Sequence, residues 1–154
     1  MSVAARQRPR AVARVGAEIA TRPVVLLTFD VVYDDAAIAF AFETAAETHA
    51  DLLITDIVPA MRVPSSANIR SFGDPHVVAT QIELVQRAVD RGIRVRRVVF
   101  SHPRPLGAAF DLLRDQGVGL LVFGPDRKRY GRFRFRRHAA RFRRDAPCLV
   151  WPDD

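Results

Sequence analysis

The feature that most constrains this chain is a regular alternation of short apolar runs with segments of helical period. The runs are Val24–Phe29 (VVLLTF), Leu52–Val58 (LLITDIV), Ile93–Phe100, Val118–Phe123 and Cys148–Trp151. Near-continuous apolar runs rich in β-branched residues read as strands buried on both faces. Between them, Asp34 and Asp35 open a helix to about His49 with Ile38, Phe42, Ala45 and Ala46 on one face. A second helix, His76 to Arg91, carries Val78, Ile82, Val85 and Val89 as its apolar stripe. A third, Pro105 to Gln116, turns Leu106, Phe110 and Leu113 inward, and a fourth covers Arg134 to Arg144. The resulting β-α-β-α-β-α-β-α-β order predicts an α/β fold: one doubly wound, five-stranded parallel sheet with helices on both faces. The arginines at 94, 96 and 97 give the third strand either one exposed face or an edge position.

The 154 residues suit one domain, 23–152, after a mobile basic tail, 1–22, that holds a short helix over 11–20. No apolar run approaches the roughly 18–20 residues of a membrane span, and no secretory leader is legible. The single cysteine, Cys148, excludes a disulfide framework and a cysteine-based zinc site, and points to a reducing cytoplasm.

A net charge of +7 invites a nucleic-acid reading, but the charge is unevenly placed. Residues 23–126 carry nine basic and thirteen acidic side chains. Ten basic residues then fall between Arg127 and Arg144 with no acid among them. Such a run is either a solvated helix face or a surface whose self-repulsion is relieved by an anion. It is interleaved with Tyr130, Phe133, Phe135 and Phe142. Basic residues with aromatics suit single-stranded nucleic acid, whereas rings at helical spacing suit packing on a sheet.

In doubly wound sheets, ligands bind beyond the C-terminal strand ends at the topological switch point. The residues to weigh therefore lie in 30–34, 57–60, 101–104 and 124–137. Asp51–Pro59 (DLLITDIVP) resembles the phospho-acceptor segment of response-regulator receivers, but only one strand and one helix precede Asp56, and no lysine follows the last strand. Asp56 reads instead as a hydrogen-bonded or sheet-edge aspartate.

Residues 23–151 as a whole resemble a universal stress protein domain. Val24–Asp30 is similar to that family's first strand, which ends in an Asp; Val98-Val99-Phe100-Ser101-His102-Pro103 to its third strand and turn. Leu120–Gly124 is similar to the fourth strand with its terminal glycine, and Ala146-Pro147-Cys148-Leu149-Val150 to its Ala-Pro-Cys-Pro-Val ending. The resemblance implies strand order 3-2-1-4-5, an adenine-contacting role for Asp30, and a homodimer formed through Leu149, Val150 and Trp151 on the last strand. It also implies a stress-response or regulatory module rather than an enzyme, with ATP or AMP as the ligand of those members that bind one.

Nucleotide-binding members carry G-x-x-G-x9-G-[ST] after the fourth strand, where glycines let backbone N–H groups approach phosphates. Here Gly124 fills the first position, Arg127 the second, and Arg136-Arg137 or Arg137-His138 the last pair. The motif is degenerate, so no cofactor is expected. Arginine forks offer another route to an anion or acidic partner. The candidate ligand-binding residues are Asp30, Ile57, Ser101, Gly124, Arg127, Arg129, Arg136 and Arg137. The histidines at 49, 76, 102 and 138 lack metal-ligand spacing, so no metal site is assigned, and no catalytic set is visible.

Overall fold

The structure, a computed structural model, describes residues 22–60 and 73–153; the expected N-terminal tail and its helix lie almost wholly outside this range. The elements are β1 (Val24–Thr28), α1 (Asp35–Thr48), β2 (Leu52–Pro59), α2 (Pro75–Asp90), β3 (Val95–His102) and α3 (Pro105–Asp115). They continue with β4 (Leu120–Phe123), α4 (Arg127–Tyr130), α5 (Arg132–Asp145) and β5 (Leu149–Trp151). All strand pairs are parallel and the sheet order is β3-β2-β1-β4-β5, as expected.

Alternation within each strand sends side chains to two separate cores. Val24, Leu26, Leu52, Ile54 and Val122 face α1 and α2, packing on Ala41, Phe42, Leu84 and Ala88. Val25, Leu27, Leu53, Leu121 and Phe123 face α3 and α5, packing on Ala109, Leu113, Phe135 and Phe142. Burial of a large side chain such as Phe42 or Phe142 contributes about 2–3 kcal/mol. The second core is strongly aromatic: Phe123 lies 5.0 Å from Phe135 and 5.1 Å from Phe142, and Phe29 stacks on Phe142 at 6.4 Å. Three of the four aromatics in the arginine-rich stretch are therefore core residues, while Phe133 is 74% exposed.

The structure corrects the sequence reading in three places. The buried face of α2 is Val77, Gln81, Leu84 and Ala88, not the Val78-Ile82-Val85-Val89 stripe; Ile82 and Val89 are more than half exposed. The phase is set by Gln81, which is drawn inside by hydrogen bonds from its Nε2 to the Tyr33 hydroxyl (3.1 Å) and from Arg97 Nε to its Oε1 (2.8 Å). The last helix starts at Arg132, and a separate turn of helix, α4, precedes it. The third, fourth and fifth strands begin one or two residues later than their apolar runs, and β3 continues to His102 because it pairs with all of β2.

Candidate functional site

The switch point lies between β1 and β4, whose following loops leave the sheet's C-terminal edge side by side. Here those loops are stitched together. The Asp34 N–H donates to the Gly124 carbonyl and the Asp126 N–H to the Val32 carbonyl, both at 2.8 Å, flanking a Tyr33–Pro125 bridge. Gly124 donates its own N–H to the Leu27 carbonyl at 2.8 Å. Its lack of a side chain serves packing, since a Cβ there would lie 2.8 Å from Leu26 Cδ1 and 2.9 Å from Ala37 Cβ. One turn on, the Asp126 carboxylate accepts from the N–H groups of Lys128 (2.9 Å) and Arg129 (3.3 Å). Most of the backbone donors after β4 that a phosphate would seek are thus bonded within the chain, two of them to a carboxylate.

Asp30, two residues past the end of β1, has φ +58°, a left-handed conformation that aspartate tolerates. Its N–H donates to Asp56 Oδ1 at 2.7 Å, and its own Oδ1 accepts the Asp74 N–H at 2.7 Å. Asp56 is the hydrogen-bonded aspartate that its position within β2 predicted. Gly73, at φ +84°, sits directly above; a Cβ there would lie 2.9 Å from Asp30 Oδ1 and 3.1 Å from Val58 Cγ2. Only glycine fits, both by conformation and by space. Burial pushes the Asp56 carboxyl up to about 6; the Asp30 charge adds to this, while the Asp30 N–H and Arg97 oppose it. Asp56 Oδ2 has no partner among the described residues.

The remaining candidates separate. Ile57 is fully buried in the core beneath α3, while Ser101 is exposed near the end of the edge strand β3. His102 accepts the Arg104 N–H on Nδ1 (2.9 Å), a turn role. Of the arginines, Arg127 and Arg136 reach the same cleft of about 570 Å³ between α4, α5 and the start of α1. Arg137 points to the other side of α5, into a cleft of about 320 Å³ with Leu106 and His138, and Arg129 lines neither. The first cleft also holds Lys128, Arg132 and Arg143, three cations not singled out beforehand. The signal that could have found two of them is the spacing 132-136-143, which falls on one helical face.

Beside the second cleft, the Tyr130 hydroxyl lies 2.5 Å from His138 Nδ1. Burial holds the His138 imidazole below its usual value, with Arg134 and Arg137 acting in the same direction, and burial pushes the Tyr130 hydroxyl up to about 12. Cys148 is half-buried, and that burial pushes its thiol up. Among the described residues no three His, Cys, Asp or Glu side chains gather as a metal site, and no helix is long and apolar enough to cross a membrane. On the last strand Leu149 is 74% exposed, whereas Trp151 is half-buried and stacks on Phe40 at 5.4 Å.

No protein-family model matches the sequence, and no curated protein matches it significantly. Solved structures do match the fold. A protein of the universal stress protein family from Burkholderia pseudomallei is 20% identical, covering 86% of this chain and 97% of its own, with a TM-score of 0.54. A universal stress protein in complex with cAMP is 21% identical, covering 84% and 95%, at 0.55. Universal stress protein UspA from Lactobacillus plantarum is 17% identical, covering 84% and 97%, at 0.52. The chain has the universal stress protein fold.

Proposed function

We propose that this chain is a non-catalytic regulatory module of the stress-response type, in which the nucleotide site of the fold has been closed. The observation that carries this reading is the use of the switch-point donors: Gly124, Asp126, Lys128 and Arg129 spend their N–H groups on Leu27, Val32 and the Asp126 carboxylate. The carboxylate that would meet an adenine, Asp30, already accepts from Asp74, under Gly73. One solved protein of this fold is described in complex with cAMP, so the fold itself admits a nucleotide.

Calorimetric titration with ATP and AMP at physiological salt tests the reading. No saturable binding that depends on Asp30 is expected, and no hydrolysis. Micromolar binding that is lost in Asp30→Ala overturns it.

A second reading is carried by the arginine block. Binding of an anion or acidic partner through 127–144 relieves the repulsion that these cations feel. It predicts affinity that falls steeply with salt. The module is proposed to pair with a second copy along β5, whose outer edge carries the exposed Leu149.

A further inference from the structure

The cations of α4 and α5 differ in how they are neutralised. Arg141 and Arg144 share Asp145, at 2.7 and 3.4 Å. Arg127, Lys128, Arg132, Arg136 and Arg143 form no ion pair with any described acid, and all five converge on the 570 Å³ cleft. Two carboxylates also line it, but both are committed to helix caps: Asp34 accepts from the Ala37 N–H and Asp126 from Lys128 and Arg129.

Two of the five cations are held in place. The Arg127 guanidinium lies 4.5 Å above the Phe135 ring, and Arg143 donates to the Pro152 carbonyl at 3.2 Å. Arg132, Arg136 and Arg143 follow one face of α5, with Ala139 between them as a small floor residue. From Arg132 to Arg143 the helix rises about 16 Å, with Arg127 and Lys128 at the Arg132 end. The result is a line of cations rather than a single point. None of Asp30, Ile57, Ser101 or Gly124 contributes to the wall; the cleft shares Asp34, Asp126 and Lys128 with the switch-point loops, but what it offers is cationic side chains rather than the backbone donors already used.

We propose that this cleft binds a chain of phosphoryl groups, held by arginine and lysine side chains and without regard to any base attached to it. Planar guanidinium forks match phosphate oxygens in pairs, and a row of them matches successive phosphoryl groups. With Asp34 and Asp126 in its lining the cleft keeps an excess of three positive charges, which a short oligophosphate balances and a single monoanion does not.

The test is calorimetry on the full chain at low salt, with inorganic tripolyphosphate, ATP and UTP as probes. Tripolyphosphate is expected to bind saturably, with ATP and UTP within about threefold of it. Arg132→Gln with Arg136→Gln should weaken all three by about tenfold or more. Both residues are exposed, so the fold is retained, and an unchanged melting temperature verifies it. The charge-matched pair Arg141→Gln with Arg144→Gln should leave binding unchanged. Absence of saturable tripolyphosphate binding, or equal weakening by the two pairs, overturns the proposal and leaves the closed nucleotide site standing. ATP binding that responds to Asp30→Asn but not to Arg132→Gln with Arg136→Gln overturns both.

Discussion

The backbone N–H of Asp30 donates to Oδ1 of Asp56 across neighbouring strands at 2.7 Å, placing a second carboxylate beside a fully buried one. The pair has a consequence for stability. The folded carboxyl of Asp56 lies at about 6, above its usual 3.8, so the folded chain holds a proton that the unfolded chain has released. Stability from this group therefore falls as pH rises from about 4 to about 6, and the buried charge costs about 3 kcal/mol above that window. Asp56→Asn keeps an acceptor for the Asp30 N–H. It is expected to be as stable as the parent near pH 4 and more stable by about 1–3 kcal/mol at pH 7, measured by urea unfolding. A parent–variant difference that is flat from pH 4 to 7 contradicts this.

Gly124 is a packing residue. Gly124→Ala drives a Cβ into Leu26 and Ala37, and should cost about 1–3 kcal/mol, seen as a melting temperature lowered by several degrees. An unchanged melting point would remove the packing explanation and reopen a role for the glycine in ligand approach.

The two apolar faces of α2 should behave differently. Leu84→Ala, in the core, is expected to cost about 2–5 kcal/mol. Ile82→Ser and Val89→Ser should stay within about 0.5 kcal/mol of the parent. Chemical denaturation separates the two outcomes clearly.

Burial holds the His138 imidazole below its usual value, and Arg134 and Arg137 add to this by disfavouring a further positive charge beside them. A group with a lowered folded value makes the chain lose stability as pH falls below about 6.5. Arg137→Gln should raise the His138 value, read from its ring resonances by NMR. No movement would mean that burial alone sets it.

On the proposed pairing along β5, Leu149→Glu is expected to yield a monomer with little change in the fold, because its side chain is largely exposed. Trp151→Ala should instead destabilise each subunit by about 3 kcal/mol or more through the lost Phe40 stack. Sedimentation and thermal melting distinguish the two; a Leu149→Glu protein that sediments like the parent argues against pairing along β5.

Much of the architecture was legible because period alone carries it. Apolar runs at 24–29, 52–58 and 118–123 require burial on two faces, and the segments between them have one apolar stripe each. Asp34 as a helix cap follows from local chemistry, and the arginines at 94, 96 and 97 called for an exposed face or an edge, of which the sheet order makes β3 an edge. The phase of α2 was not legible, since Gln81 counts as polar until Tyr33 and Arg97 are brought to it from elsewhere in the chain. The one-turn helix α4 was also missed, because its cap, Asp126, sits between Gly124-Pro125 and a run of charges that carry no helical stripe.

By itself, then, the sequence determined the order and kind of the strands and longer helices and the concentration of positive charge in 127–144. These are local or compositional properties, fixed by which residues follow one another. The tertiary structure decided where each charge points and which polar groups already have partners. Arg136 and Arg137 are neighbours in the chain yet face different clefts, and Asp126 and Asp74 take up bonds at the switch point that no spacing rule assigns. Side-chain direction depends on helix phase, and satisfaction of a hydrogen bond depends on groups distant in sequence. Both exist only once the chain has folded.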